Sequence, residues 1–154
     1  MHIEIFSETH NEHVEIDVDP KNGEVRHATC EGITTNLNKT ERLEALRCWK
    51  STPPHRRLLE QLFEEYQPKV GDEVVLFVAG TPRVSNPQSA HPYRTTITAV
   101  GEGVIIVDGG KAVMRNQPHF RRVLPVEEAR RVRTMDLLEI GCLNPTTQAQ
   151  IDAI

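Results

Sequence analysis

The sequence predicts an α+β fold built on a small, strongly curved β-barrel, and three observations carry that expectation. The first is a helix-to-strand switch at Pro68-Lys69-Val70-Gly71-Asp72-Glu73, where proline ends a helix and Gly-Asp supplies a turn. The second is the apolar run Val74-Val75-Leu76-Phe77-Val78-Ala79, too short for a buried helix and rich in β-formers. The third is the pair of apolar runs Val104–Val107 and Lys111–Met114 on either side of Asp108-Gly109-Gly110, a hairpin signal. Together with Tyr93–Val100 and a last short strand within His119–Leu124, these runs give four or five short strands between residues 68 and 125. A sandwich needs about seven, so the count suits an SH3-like barrel better.

Each barrel element has its own local reason. Gly80 to Pro92 carries Pro82, Pro87 and Pro92 among Thr, Ser, Asn and Gln, so it reads as one long, semi-rigid binding loop. Gly101-Glu102-Gly103 is a turn. A two-residue turn at Gly109-Gly110 would set Asp108 opposite Lys111, Val107 opposite Ala112 and Ile106 opposite Val113.

Around the barrel the chain predicts three further parts. Met1 to Thr35 reads as a β-meander: Ile3 and Ile5 alternate, then Val14, Ile16 and Val18, then Val25 to Cys30 returns. The turn Asp19-Pro20-Lys21-Asn22-Gly23-Glu24 places Val18 opposite Val25, Asp17 opposite Arg26 and His13 opposite Cys30. Asn38 and Glu41 form a capping box ahead of a helix with Leu43, Leu46 and Trp49 on one face, and Trp49 is its largest apolar anchor. Thr52 then caps a second helix with Pro53 first, whose stripe is Leu58, Leu59, Leu62, Phe63 and Tyr66, opposite Arg56, Arg57, Glu60 and Glu64. After the barrel, Pro125 opens a helix edged by Val126, Ala129, Val132, Met135 and Leu138 and closed at Gly141. Asn144-Pro145 starts a last short helix of weak apolar content, either frayed or docked through Ile151 and Ile154. The expected organisation is residues 1–67, 68–125 and 126–154, joined into one unit.

Composition narrows the class of function. The 154 residues carry a formal net charge of −4, with three cysteines of no close spacing, so neither a disulfide framework nor a thiolate pair is expected. No apolar run is long enough to span a membrane, and the expected setting is the cytoplasm. Charge is uneven: residues 1–38 hold eight acids against Lys21 and Arg26, whereas residues 82–134 hold nine bases against four acids. Such asymmetry fits opposite-charge partners or two parts of one fold that attract each other.

Motifs tied to catalysis are absent: there is no phosphate-binding glycine loop, no Rossmann fingerprint, no HExxH and no GxSxG, and the expectation is no enzyme. Asp17 to Gly23 fails as a calcium loop, because Lys21 and Ala28 fall where ligands are needed. His13, facing Cys30, has no CxxC or HxxxH pair to complete a zinc site, so no metal or other cofactor is expected.

The arginines are the strongest functional signal. Arg121, Arg122, Arg130, Arg131 and Arg133 fall within thirteen residues, and guanidinium suits bidentate contact with carboxylate or phosphate. With Arg83, Tyr93, Arg94 and Arg115 they form the expected partner-binding set, presented with the proline-rich loop to a protein partner. The competing reading is a solvated face paired to nearby acids. Two alternatives stay open: a nucleic-acid-binding accessory protein using the same arginines on phosphates, and a small phage-type inhibitor whose acidic surface, Glu12, Glu15, Asp17 and Asp19, blocks a basic site on another protein.

Overall fold

The computed structural model describes residues 1–77, 93–114 and 122–154, with Tyr93 described at its backbone alone. It is α+β, with four helices and two antiparallel sheets among the described residues, and its contacts divide it into two compact units, Met1–Gln61 and Leu62–Ile154.

The first unit begins with the expected meander: β1 (His2–Ser7), β2 (Glu12–Val18), β3 (Val25–Cys30) and the two-residue β4 (Ile33–Thr34) lie in the order β1-β2-β3-β4. Strict alternation of burial along β1 and β2 sends Ile3, Ile5, Val14, Ile16 and Val18 to one face, where they join Ala28, Leu37 and Ala45 in a core. Val18 pairs with Val25 as expected, and the Asp19 N–H bonds to the Glu24 carbonyl at 2.8 Å. Beyond that point the register differs. A bulge between Asp17 and Val18 takes up Arg26 as the extra residue of β3, so Asp17 faces His27 rather than Arg26, and Cys30 faces Val14 rather than His13. The extra residue is used: Arg26 turns back to Asp19, 3.4 Å away.

Helix α1 (Lys39–Ser51) starts at the predicted capping box, with the Glu41 N–H donating to Asn38 Oδ1 at 2.8 Å and the Asn38 N–H donating to Glu41 Oε1 at 2.9 Å. Its core face is Glu41, Ala45, Cys48 and Trp49, a spacing of four, three and one, and not the Leu43–Leu46–Trp49 line. Leu43 is 54 % exposed. The buried cap at Glu41 fixes the rotation of the helix, and Ala45, one turn on, is small enough to sit fully buried against the sheet side chains.

Thr52 closes α1 instead of opening α2, donating its N–H and its hydroxyl to the Cys48 carbonyl. Helix α2 (Pro54–Glu65) therefore starts one residue later than expected, with the Pro53 carbonyl accepting from the Arg57 N–H at 3.2 Å. The division between the units falls within this helix.

In the second unit, β5 (Glu73–Phe77), β6 (Tyr93–Gly101), β7 (Val104–Val107), β8 (Lys111–Met114) and β9 (Arg122–Pro125) form one sheet in the order β8-β7-β6-β5-β9. This corrects the SH3-like barrel expected over residues 68–125. The sheet curls until Val113 of β8 and Val123 of β9 share a core with Val74, Ile97, Ile105 and Val107, yet among the described residues no ladder joins β8 to β9, and the sheet is not closed into a barrel. Closure requires that last ladder. Segments 78–92 and 115–121, which include the proposed loop Gly80 to Pro92, lie outside the described residues.

The β7–β8 hairpin is also one residue out of its expected register. Asp108, Gly109 and Gly110 are all in the turn, both glycines at positive φ (81° and 73°), so Val107 pairs with Lys111 and Ile105 with Val113. The gain is that two fully buried side chains, Ile105 and Val113, face each other across the ladder.

Helices α3 (Val126–Glu139) and α4 (Pro145–Asp152) complete the unit. Ala129, Val132, Asp136 and Leu137 are the buried face of α3, while Leu138 is 58 % exposed, so the apolar edge runs through Leu137 and not Leu138. Ile154 packs with Val75 and Ala129, and Ile151 is buried, so of the two expected states the last helix takes the docked one.

One glycine of the first unit has no tolerance for a side chain. Gly23 has φ +77°, and a Cβ there would lie 2.7 Å from the Trp49 ring. Gly23→Ala is expected to lower the stability of this unit by about 2 kcal/mol or more, through backbone strain plus overpacking. Urea denaturation followed by the fluorescence of Trp49, the sole tryptophan, measures it.

Candidate functional site

The arginines proposed from sequence do not share one role. Arg83, Arg115 and Arg121, and the side chain of Tyr93, lie outside the described residues. Arg122 is 5 % exposed and places its guanidinium carbon 3.8 Å from the centroid of the Phe63 ring, which itself meets Phe77 edge-on. Arg130 donates to the carbonyls of Asp152 at 3.1 Å and Ile154 at 2.7 Å and to Glu127 at 2.8 Å, tying α3 to α4. Arg133 pairs with the buried Asp136 at 3.3 Å. Arg94, opposite Val75 on β6, and Arg131 are exposed.

The acidic residues are likewise divided. Glu15 and Asp17 lie on the outer face of the meander, where Glu15 faces Glu4 and Asp17 lies between His2 and His27 across the strands. Glu12 is exposed at the start of β2. Asp19 is turned into its own turn, accepting from the Lys21 N–H at 2.9 Å; that bond, with the charge of Arg26 and against the opposing effect of burial, holds its carboxyl below the usual range.

The thiols and imidazoles show the same local bookkeeping of charge. None of Cys30, Cys48 and Cys142 is in a disulfide. Burial, reinforced by Glu31, Glu12 and Glu41, pushes the Cys30 thiol up; burial and Glu44, against Arg47, do the same to Cys48. Both shifts disfavour a thiolate. His13 meets Glu4 at 3.3 Å and Phe6 edge-on, and His10 Nε2 lies 3.2 Å from the Thr35 hydroxyl. Among the described residues no three His, Cys, Asp or Glu side chains are placed to hold a metal ion.

A different set of residues does converge. In the first unit, Pro20 and Lys21 of the β2–β3 turn, Trp49 at the end of α1, and Pro54, Arg57, Leu58 and Gln61 of α2 line an open groove of about 470 Å³. The four α2 residues follow a 3-1-3 spacing, which puts them on one face of the helix. Trp49 is fixed within the lining: its indole N–H donates to the Pro20 carbonyl at 3.0 Å, Gly23 lies against its ring, and the Arg57 guanidinium carbon sits 4.6 Å from the ring centroid.

Sequence reading singled out Trp49 as an anchor and put Leu58 in the apolar stripe of α2, with Arg57 on the opposite, polar side. It missed that Arg57 and Leu58 would line the same groove with Lys21. The available signal was the pairing of the sole tryptophan with an arginine eight residues on, across a Pro-Pro corner.

No protein-family model, curated protein or solved structure matches this chain.

Two expectations follow for groups near these features. Burial pushes the pKa of Glu41 up, but the Asn38 N–H, the Ser7 hydroxyl and the His10 charge outweigh it, and the net pKa is lowered. A folded pKa below the unfolded value, about 4.3, gives stability that is complete above that pH and lost as pH falls through the folded value. The wild type should therefore lose more stability than Glu41→Gln between about pH 5 and pH 3, read from urea midpoints at each pH. Arg130→Ala should release α4, raising amide exchange across residues 145–152 and costing about 1–2 kcal/mol for the lost charge-assisted bonds. Unchanged exchange would free Arg130 from its tethering role.

Proposed function

We propose that this protein is a non-enzymatic interaction module that docks a protein partner in the groove between the β2–β3 turn and α2. The single observation that carries the reading is the fixed Trp49 in an open groove, flanked by Pro54 and Leu58 and by the cations Lys21 and Arg57. Tryptophan and arginine are the side chains that most often dominate protein docking energy, because each offers large apolar area together with directional polar contact. Holding the indole through the Pro20 carbonyl removes its rotamer freedom before binding, which lowers the entropy cost of association.

Supporting this over a nucleic-acid reading is the way the arginines of the second unit are spent: Arg122, Arg130 and Arg133 all make internal contacts. The same count supports a shift of attention from the arginine group of residues 121–133 to the tryptophan groove. Arg94 and Arg131 are the arginines of the expected partner-binding set left exposed among the described residues, and they are proposed as secondary partner contacts.

Leu58→Glu tests the proposal, since glutamate keeps helix propensity and fills the groove wall with charge. Affinity capture from the native host with the wild-type chain should retain a protein that survives nuclease treatment and binds the variant about tenfold less tightly or worse. Equal binding by a variant whose circular dichroism is unchanged, or loss of the captured protein on nuclease treatment, would sink the proposal.

A further inference from the structure

We infer that the segment docking in the Trp49 groove is acidic, with a carboxylate set against Arg57 and an aliphatic neighbour against Leu58; this inference rests on the groove being a protein-docking site. Three features of the lining point to that chemistry. Arg57 Nε is buried with no hydrogen-bond partner, as is Arg130 Nε, but of the two only the Arg57 side chain lines an open groove, where its guanidinium can meet an acceptor from outside. A buried N–H left unpaired is costly, and a carboxylate oxygen is the acceptor that satisfies a guanidinium best. The lining also contains two cations, Lys21 and Arg57, and no acidic side chain.

The third feature is the contact between Arg57 and Trp49. The guanidinium carbon lies 4.6 Å from the ring centroid, a contact that engages the charge and leaves the N–H fork available for an anion. Stacking also restricts the side chain, so less freedom is lost when the anion arrives. The shape of the site favours a peptide over a free anion. At about 470 Å³, with Pro20, Pro54 and Leu58 in its walls, it has room and apolar surface that a lone phosphate would leave unfilled. Nor does it offer a base a bare stacking platform, because the Arg57 guanidinium already lies over one face of the indole.

The test uses the full chain and three capped hexapeptides of alternating leucine with glutamate, glutamine or lysine. Binding is read from the fluorescence of Trp49, which no other tryptophan obscures. The glutamate peptide should change the emission saturably, bind at least about tenfold more tightly than its glutamine twin, and weaken as salt rises. Arg57→Met, which keeps the aliphatic packing on Trp49, should remove that preference. If the glutamine or lysine peptide binds as well as the glutamate one, or if Arg57→Met leaves the preference intact, the acidic assignment is overturned while docking in the groove stands. If none of the peptides moves the emission, the acidic assignment is again overturned, and the docking reading is then decided by the Leu58→Glu comparison alone.

Discussion

The contact between Gly23 and Trp49 is the constraint on which the first unit turns. The β2–β3 turn must bring a backbone at positive φ against an indole ring, and only a residue without Cβ can occupy that place. Three further contacts close the arrangement from either side: Pro20 accepts the indole N–H, and the Asp19 carboxylate holds the turn through the Lys21 N–H and Arg26. A surface turn and the end of a helix are thereby made into one rigid piece. Without that lock, Trp49 would be a mobile apolar side chain at the end of α1; with it, the ring is a fixed wall on which Arg57 of the next helix can settle.

How much of this was legible from the residues depends on the kind of signal. Strand alternation and the asparagine caps read correctly: the alternation of Ile3, Ile5, Val14, Ile16 and Val18, the Asn38–Glu41 box and the Asn144 start are local rules, whereas Thr52 capped the end of α1 and not the start of α2. Register did not read correctly. A single bulged residue, Arg26, moved Cys30 from His13 to Val14, and one extra turn residue, Asp108, shifted the β7–β8 ladder, because the choice between neighbouring registers is made by packing on the buried face. The helix face of α1 failed for a related reason. Leu43 and Leu46 have the stronger apolar signal, yet the buried cap at Glu41 set the rotation and gave the core to Ala45. Closure of the second sheet was out of reach for the same cause, since strand count says nothing about whether the outer strands meet.

The arginines illustrate why charge runs are weak evidence of a surface. Five guanidinium groups within thirteen residues suggest one basic patch, but a helix distributes neighbours around its axis. Arg130 and Arg133 are held by partners on α3 and at α4, Arg131 points to solvent, and Arg122, from the strand before, is buried on Phe63. Burying a guanidinium is tolerable only when its charge is compensated; Phe63 beneath Arg122 supplies part of that through its ring quadrupole. The density of charge along the chain thus reflects internal fastening as much as any outward-facing surface.

The same physics separates Arg57 from those internal arginines. Arg130 and Arg133 end on oxygen atoms of the protein itself through their terminal nitrogens, which hold helices together, although Arg130 Nε, like Arg57 Nε, is buried without a partner. Arg57 ends on a ring, which stabilises its charge but accepts none of its strong hydrogen bonds, and its Nε is buried without a partner in the wall of an open groove. A folded chain leaves few buried donors unpaired, because each costs free energy that the fold must recover elsewhere. Arg57 differs in its place: the cation lies beside a fixed indole and borders an open groove with no acid in its lining, where an acceptor from outside the chain can reach it. This is why the groove, and not the denser arginine run of the second unit, carries the functional assignment.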